Sequence, residues 1–284
     1  MPEAEIQQLK ERYGLARPLV VQYFVWMKNF FLHGDLGRSF NYERPVSEMI
    51  LERLPATMGI SMMAMVITWL IAVPIGIYSA VKQYSIGDYV FTFFGFIGLA
   101  LPNFLFALVL MYFLYINTGW SVIGLFSPEY ASVPWSLARF INLIKNIWLP
   151  LIVIATAGTA GLIRILRGTL LDELGKQYVI TARAKGMKES KLTFKYPVRM
   201  AVNPLISTIG WMLPAIVGGE VVVSCVLSLN TIGPILLGAV QTEDMYLAGG
   251  IIMILSTLTV IGTLLSDILL VWLDPRIRFE KRIG

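Results

Sequence analysis

The sequence predicts an all-α integral membrane protein with five membrane-spanning helices. Of the 284 residues, 56% are hydrophobic and only 14% are charged, and the mean hydropathy is +0.70. A soluble domain usually carries about 25% charged residues. Five apolar stretches are also long enough for the roughly 20 residues that a helical crossing needs. Each is expected to be a helix, because an open strand would leave backbone groups unpaired in lipid.

An external segment and five spans are expected in chain order. Residues 1–56 form the external segment, with a helix that begins at Pro18 and ends at Gly34, as proline and glycine at helix ends predict. This helix is shorter than a crossing and is expected to lie at the interface or pack on the bundle. The transmembrane region, 57–273, is expected to have its second span broken by Pro102. The spans are expected at 57–80, 89–118, 147–168, 203–227 and 247–273.

Charge asymmetry sets the expected orientation. From Arg164 to Arg199 there are nine Lys/Arg against three acids, and the tail 274–284 has four against two. Both segments are therefore expected in the cytoplasm. Residues 228–246 hold no Lys or Arg, and with 119–146 they are expected outside.

This orientation places the charged first 55 residues outside, although no signal peptide precedes them. We therefore expect Met1 to be an internal methionine of a longer protein with one further span ahead of it. A five-span protein inserted from its tail is the alternative.

The composition excludes several functions. The net charge of +5 lies mostly beside the spans, where it meets anionic lipid rather than nucleic acid. With Cys225 as the single cysteine and His33 as the single histidine, no disulfide, metal site or catalytic site is expected. No GxxxxGK[ST] phosphate loop is present, so this chain is not expected to be an ATPase or to hold a cofactor.

The basic cytoplasmic loop, residues 170–200, has the composition of a docking element. Its centre, Tyr178 to Gly186, is short and helix-prone, and its glycine can end the helix. Tyr178, Ala182 and Lys185 share one helical face by their spacing. A basic helix lying on anionic lipid is the alternative.

Small and basic side chains suit this helix to a protein partner. Ala182 and Ala184 permit close docking, and Arg183 and Lys185 can pair with acids of the partner. The expected docking residues are Tyr178, Thr181, Ala182, Arg183, Ala184, Lys185 and Gly186.

Three motifs resemble the permease subunit of an ATP-binding-cassette importer of the dipeptide/oligopeptide/nickel group. They are Gly34–Ser39 with Arg44–Val46 and Glu52–Thr57, then Thr181–Gly186, then Asp274–Arg278. The resemblance implies a bundle of six spans, the first absent here, that forms half of a pathway for di- or oligopeptides. It places the protein in a prokaryotic plasma membrane.

The resemblance also implies the partners. Tyr178–Gly186 would sit in a groove of a cytoplasmic ATPase, which binds ATP and Mg²⁺. A second permease of different sequence, two ATPase subunits and an external substrate-binding protein would complete the assembly.

Two departures from the family pattern bear on the site. Ile180-Thr181-Ala182 stands where the general signature has Glu-Ala-Ala. Ser224 occupies the place of an acid that the family often has, and Glu220 stands four residues earlier on the same face. Both are expected near the pathway, where Glu220 would meet a peptide amino terminus; a snorkelling acid is the alternative.

Other functions stay open at this point. A nickel permease of the same build is one alternative. A stand-alone secondary transporter, a channel or a membrane enzyme is another, although two acids and no obvious repeat argue against a secondary carrier.

Overall fold

The computed structural model describes residues 18–120, 122–209 and 221–273. Within these ranges the regular elements are helices, and the backbone also forms an isolated bridge between Arg38 and Pro45. The predicted all-α class is confirmed.

The helices follow one another with short connections. A 3₁₀ turn at Pro128–Tyr130 precedes the longest helix, and residues 203–209 are helical as well. In chain order the helices are α1 (Leu19–His33), α2 (Val46–Val81), α3 (Ile86–Ala100), α4 (Asn103–Thr118), α5 (Leu137–Leu174), α6 (Gln177–Ala184), α7 (Glu189–Lys195), α8 (Pro197–Ala201), α9 (Val221–Val226), α10 (Ile232–Gln241) and α11 (Met245–Leu273).

Both predicted ends of α1 are confirmed. The carbonyl of Pro18 accepts the N–H groups of Val21 and Gln22 at 2.8 and 3.1 Å. Gly34 follows the helix with φ 65°, and its N–H donates to the carbonyl of Phe30 at 2.9 Å. The helix has 15 residues, which gives a length of about 22 Å. That is short of the roughly 30 Å hydrocarbon core, as the sequence indicated.

Among the described residues, three helices are long and apolar enough to cross a membrane: α2, the Leu137–Thr156 part of α5, and α11. Both α2 and α5 begin about ten residues before the predicted spans, at Val46 and Leu137, because these helices continue beyond their apolar stretch into polar sequence. The predicted span 203–227 falls partly on residues 210–220, outside the described residues.

The expected second span is two helices, α3 and α4, which meet at 104°. The break falls at Pro102, as predicted. Proline has no N–H for the helix ladder and disfavours the helical conformation of the residue before it. Leu101 is accordingly extended, with φ −83° and ψ 126°. That this pair makes one crossing stays a prediction.

The centre of the fold is the packing of α2 against α5. The face of α2 towards α5 carries small residues: Thr68 donates its hydroxyl to the carbonyl of Ala155 at 3.3 Å. At Gly76 a Cβ would lie 3.0 Å from the side chain of Leu166. Such residues let helix backbones approach closely in lipid, where no hydrophobic drive acts between helices.

Helix α3 runs antiparallel along α5. Its first turn reaches Arg167 through Asp88, whereas a Cβ at Gly98 would touch Thr156 at 3.1 Å. Helix α4 then turns across α5, with Ala107 in a core shared with Leu149. The C-terminal half of α5 therefore packs on α3 and its N-terminal half on α4.

The close contact at Gly76 leads to a test of the fold. We expect Gly76→Leu to lower the thermal stability of the detergent-solubilised protein, because overpacking a close contact typically costs about 1–3 kcal/mol. Gly59→Leu on the same helix is the matched control, since a Cβ there meets no atom within 4 Å. Equal melting temperatures for the two variants would contradict the close packing of α2 and α5.

Candidate functional site

The basic loop folds into α6, α7 and α8 beyond the C-terminal end of α5. Helix α6 buries one residue, Val179, which is 0% exposed, while α7 buries Leu192 and Thr193. The hydroxyl of Thr169 on α5 lies 3.2 Å from the carbonyl of Ala201 on α8, although the carbonyl of Ile165 in its own helix is nearer, at 3.0 Å. Ala201 also packs in one core with Leu166 and Leu170 of α5. The loop is therefore attached to α5 at both ends and leaves most of α6 uncovered.

Helix α6 ends in a Schellman motif at Gly186. The N–H of Met187 donates to the carbonyl of Ala182 at 3.3 Å, and that of Gly186 donates to Arg183 at 3.0 Å. These are the two bonds of the motif, which needs a left-handed residue after the helix. Gly186 has φ 77°, and a Cβ there would meet no atom within 4 Å. Glycine is favoured here for its conformation and not for space, as the sequence predicted for the helix end.

Tyr178 joins α6 to α5. Its hydroxyl donates to the carboxylate of Glu173, and its ring packs on Tyr196 with centroids 6.4 Å apart. Burial, followed by the hydrogen bond to Glu173, raises the pKa of the Tyr178 phenol well above its usual value. The phenol therefore stays a neutral donor at physiological pH.

Arg183 is engaged within its own chain. Its guanidinium donates twice to the carboxylate of Glu189, at 2.5 and 3.2 Å. This hydrogen bond raises the pKa of Arg183 and lowers the pKa of Glu189. The sequence analysis predicted that Arg183 and Lys185 can pair with acids of a partner. Arg183 is instead paired with Glu189, whereas Lys185 forms no ion pair with another described residue.

The remaining predicted docking residues lie on the open side of the loop. Thr181, Ala184 and Lys185 are exposed, and Ala182 is half-buried. Two apolar side chains that sequence reasoning passed over are also exposed, Ile180 at 45% and Phe194 at 63%. Apolar side chains in an otherwise basic loop were the signal for them, because exposed apolar groups rimmed by polar ones mark interaction surfaces.

Of the two predicted pathway residues, Ser224 and Glu220, the structure describes Ser224. Ser224 is 3% exposed, so in this conformation it is packed inside the chain rather than lining an open path. Glu220 lies outside the described residues.

A buried ion pair that sequence reasoning missed lies above the loop. Asp88 is 2% exposed and accepts two hydrogen bonds from the guanidinium of Arg167, at 3.0 and 2.9 Å. The N–H of Tyr84 donates to the same carboxylate at 3.0 Å. The pair joins the first turn of α3 to α5, two turns before α5 ends at Leu174.

A second polar network joins Leu36–Ser39 to Asp244–Tyr246. Asp244 is buried and accepts the Ser39 hydroxyl at 2.5 Å and the N–H of Leu247 at 3.2 Å. It therefore caps α11 as well as binding the segment after α1. A Cβ at Gly37 would lie 2.6 Å from the ring of Tyr246. The Gly34–Ser39 motif thus holds the N-terminal end of α11.

Comparisons with known proteins agree with this geometry. Residues 72–279 match the family described as "Binding-protein-dependent transport system inner membrane component". The chain is 38% identical over 278 residues to the oligopeptide transport system permease protein AppB of Bacillus subtilis, covering 98% of this chain and 86% of that protein. It is 29% identical over 279 residues to OppB, of the same description, from Haemophilus influenzae, covering 98% and 87%.

A solved structure has the same fold. A chain of the MetNI methionine ABC transporter in an inward-facing conformation superposes with a TM-score of 0.58 at 13% identity, covering 80% of this chain and 96% of that one.

The contribution of the Asp88–Arg167 pair to stability can be compared with that of the exposed Arg183–Glu189 pair. Asp88→Asn leaves the Arg167 guanidinium, whose side chain is 27% exposed, without a charged partner, and the loss of hydrogen bonds to a charged group costs about 1.5–3 kcal/mol. We expect a clear fall in melting temperature, and recovery when Arg167→Met removes the charge as well. Glu189→Gln is the control, because exposed pairs contribute little. A loss with Glu189→Gln as large as with Asp88→Asn would count against a buried pair.

Proposed function

The chain belongs to the family of binding-protein-dependent transport system inner membrane components, and on that premise we propose that it forms half of an ATP-driven import pathway for di- and oligopeptides. Its relatives named as oligopeptide permeases match 98% of the chain, and they support the peptide class of substrate.

One observation supports coupling to a separate ATPase: helix α6 is mostly uncovered. It packs on the rest of the chain through its one buried residue, Val179, and ends at Gly186, which has a left-handed conformation. Its exposed surface combines Ile180 with the cation of Lys185, and Phe194 follows on α7. A groove with an apolar floor and an acidic rim on a cytoplasmic ATPase would complement this surface.

Motion would pass from α6 into the membrane through α5. Tyr178 and Glu173 tie α6 to the end of α5, which is continuous over 38 residues. Because α2 and α3 pack on α5, a displacement of α6 would shift the bundle as a unit. Nucleotide binding would then change the relative populations of two bundle arrangements, as alternating access requires.

The complete assembly would contain two permeases, two ATPase subunits and an external binding protein in a prokaryotic plasma membrane. The C-terminus and the basic loop would lie in the cytoplasm, as their charge asymmetry favours. ATP and Mg²⁺ would be bound by the ATPase partner.

Docking through α6 can be tested at Gly186. We expect Gly186→Asp to reduce co-purification of the ATPase about tenfold, because a non-glycine residue in this conformation costs about 1–3 kcal/mol and the added acid opposes the basic surface. Membrane insertion should be unchanged.

Gly34→Asp is a matched control on the predicted outer side. Gly34 also follows a helix, with φ 65° and no atom within 4 Å of a Cβ. Normal ATPase recovery with Gly186→Asp, or equal loss with Gly34→Asp, would show that α6 does not dock the ATPase.

The transport function is tested in proteoliposomes that contain the whole complex. We expect uptake of tripeptides that requires both ATP and the external binding protein. Uptake of Ni²⁺ in place of peptide would identify the nickel alternative. Peptide uptake without the ATPase would identify a secondary carrier and overturn the proposal.

A further inference from the structure

A pocket lies between the end of α4 and the beginning of α5, on the side that charge asymmetry predicts to be external. It has a volume of about 560 Å³, within the range of small-molecule sites. The pocket is lined by Trp120, Ser127, Asn142, Lys145 and Asn146.

One wall of the pocket is a hydrogen-bonded network. The Asn142 carboxamide accepts the N–H of Ser127 and donates to the Ser127 hydroxyl, both at 2.9 Å. Asn146 is 3% exposed and donates to the Asn142 side chain at 3.1 Å. The network fixes the loop after α4 against α5, so the wall is held before any ligand arrives.

Trp120 adds an aromatic surface to the pocket. The indole of Trp120 packs against that of Trp148, with ring centroids 6.4 Å apart. Trp148 belongs to the partly buried shell of the core that contains Leu149. The Trp120 ring is therefore supported by the core while it borders the pocket.

Lys145 supplies the available positive charge. The neighbouring cation, Arg139, lies over the rings of Phe126 and Trp135 and donates to the carbonyls of Ala131 and Val133. Lys145 is exposed, and it forms no ion pair with any described residue. An ammonium beside amide and hydroxyl groups is suited to a carboxylate, which accepts hydrogen bonds from both kinds of donor.

We propose that this pocket is a subsite for the carboxyl end of a peptide as it enters the permease. Lys145 binds the terminal carboxylate, Ser127 and Asn142 border the last peptide unit, and Trp120 packs on the terminal side chain. The inference rests on the proposed function. A lipid phosphate is the competing ligand, since the remaining N–H of the Asn142 carboxamide and the Ser127 hydroxyl can donate to either anion. Trp120 beside them favours the peptide, because its ring offers a packing surface for a terminal side chain.

The test measures peptide binding to the complete transporter in nanodiscs of phosphatidylcholine. The probe is a mixed tripeptide pool, supplied as free acids and as C-terminal amides and quantified by mass spectrometry. We expect free acids to bind about tenfold more tightly, as one charge-assisted hydrogen bond allows. Lys145→Met should abolish that preference and Lys145→Arg should keep it.

Lys28→Met is the matched control, since Lys28 is an exposed cation of α1 on the same predicted side. The proposal is overturned if Lys145→Met leaves the preference intact, if Lys28→Met removes it, or if the wild type shows none. Binding of the complex to phosphatidylglycerol vesicles is measured as well, as the probe for a lipid phosphate. The proposal is also overturned if Lys145→Met weakens this vesicle binding and leaves peptide binding unchanged.

Uptake of the same pool, measured in parallel, separates the two proposals. If the wild type takes up no peptide but binds free acids more tightly than amides, and this preference depends on Lys145, the peptide import function is rejected and the subsite is kept. Normal uptake with no effect of Lys145→Met rejects the subsite alone.

Discussion

The close approach of α2 and α5 is the constraint on which the other features depend. Small side chains such as Gly76 bring the two backbones together, and α5 then presents one continuous surface from the outer pocket to the basic loop. The Asp88–Arg167 pair, the Tyr178–Glu173 contact and the Lys145 pocket are all attached to this helix. A separation of α2 and α5 would therefore alter the geometry of every candidate site.

Two buried carboxylates, Asp88 and Asp244, lie near opposite ends of the bundle, and both are paired. Asp88 is satisfied by Arg167, and Asp244 by Ser39 and the first turn of α11. A buried carboxylate without such partners would be strongly destabilising. The two networks therefore fix which helix ends lie together, while small and apolar residues between them provide the packing.

Features that arise from local chemistry were predictable from the sequence. Pro18 and Gly34 bound α1, Pro102 breaks the second apolar stretch, and Gly186 follows a short helix. The missed features depend on residues far apart in the chain. Ser39 and Asp244 are 205 positions apart, and Asp88 and Arg167 are 79 apart. Periodicity and charge counts carry no information on such pairs. The lengths of α2 and α5 were missed because hydropathy marks the apolar part of a helix and not where its hydrogen bonds stop.

The right-angled bend between α3 and α4 bears on how the protein responds to its host membrane. Long helices such as α2, α5 and α11 adapt to a thicker or thinner bilayer by tilting. Because α3 and α4 meet at 104°, no single tilt aligns both with the bilayer normal. A change in lipid chain length would therefore affect α3 and α4 differently, and the bend at Leu101 and Pro102 connects them. The acyl-chain composition of the membrane would thereby influence the arrangement of the helices in this bundle.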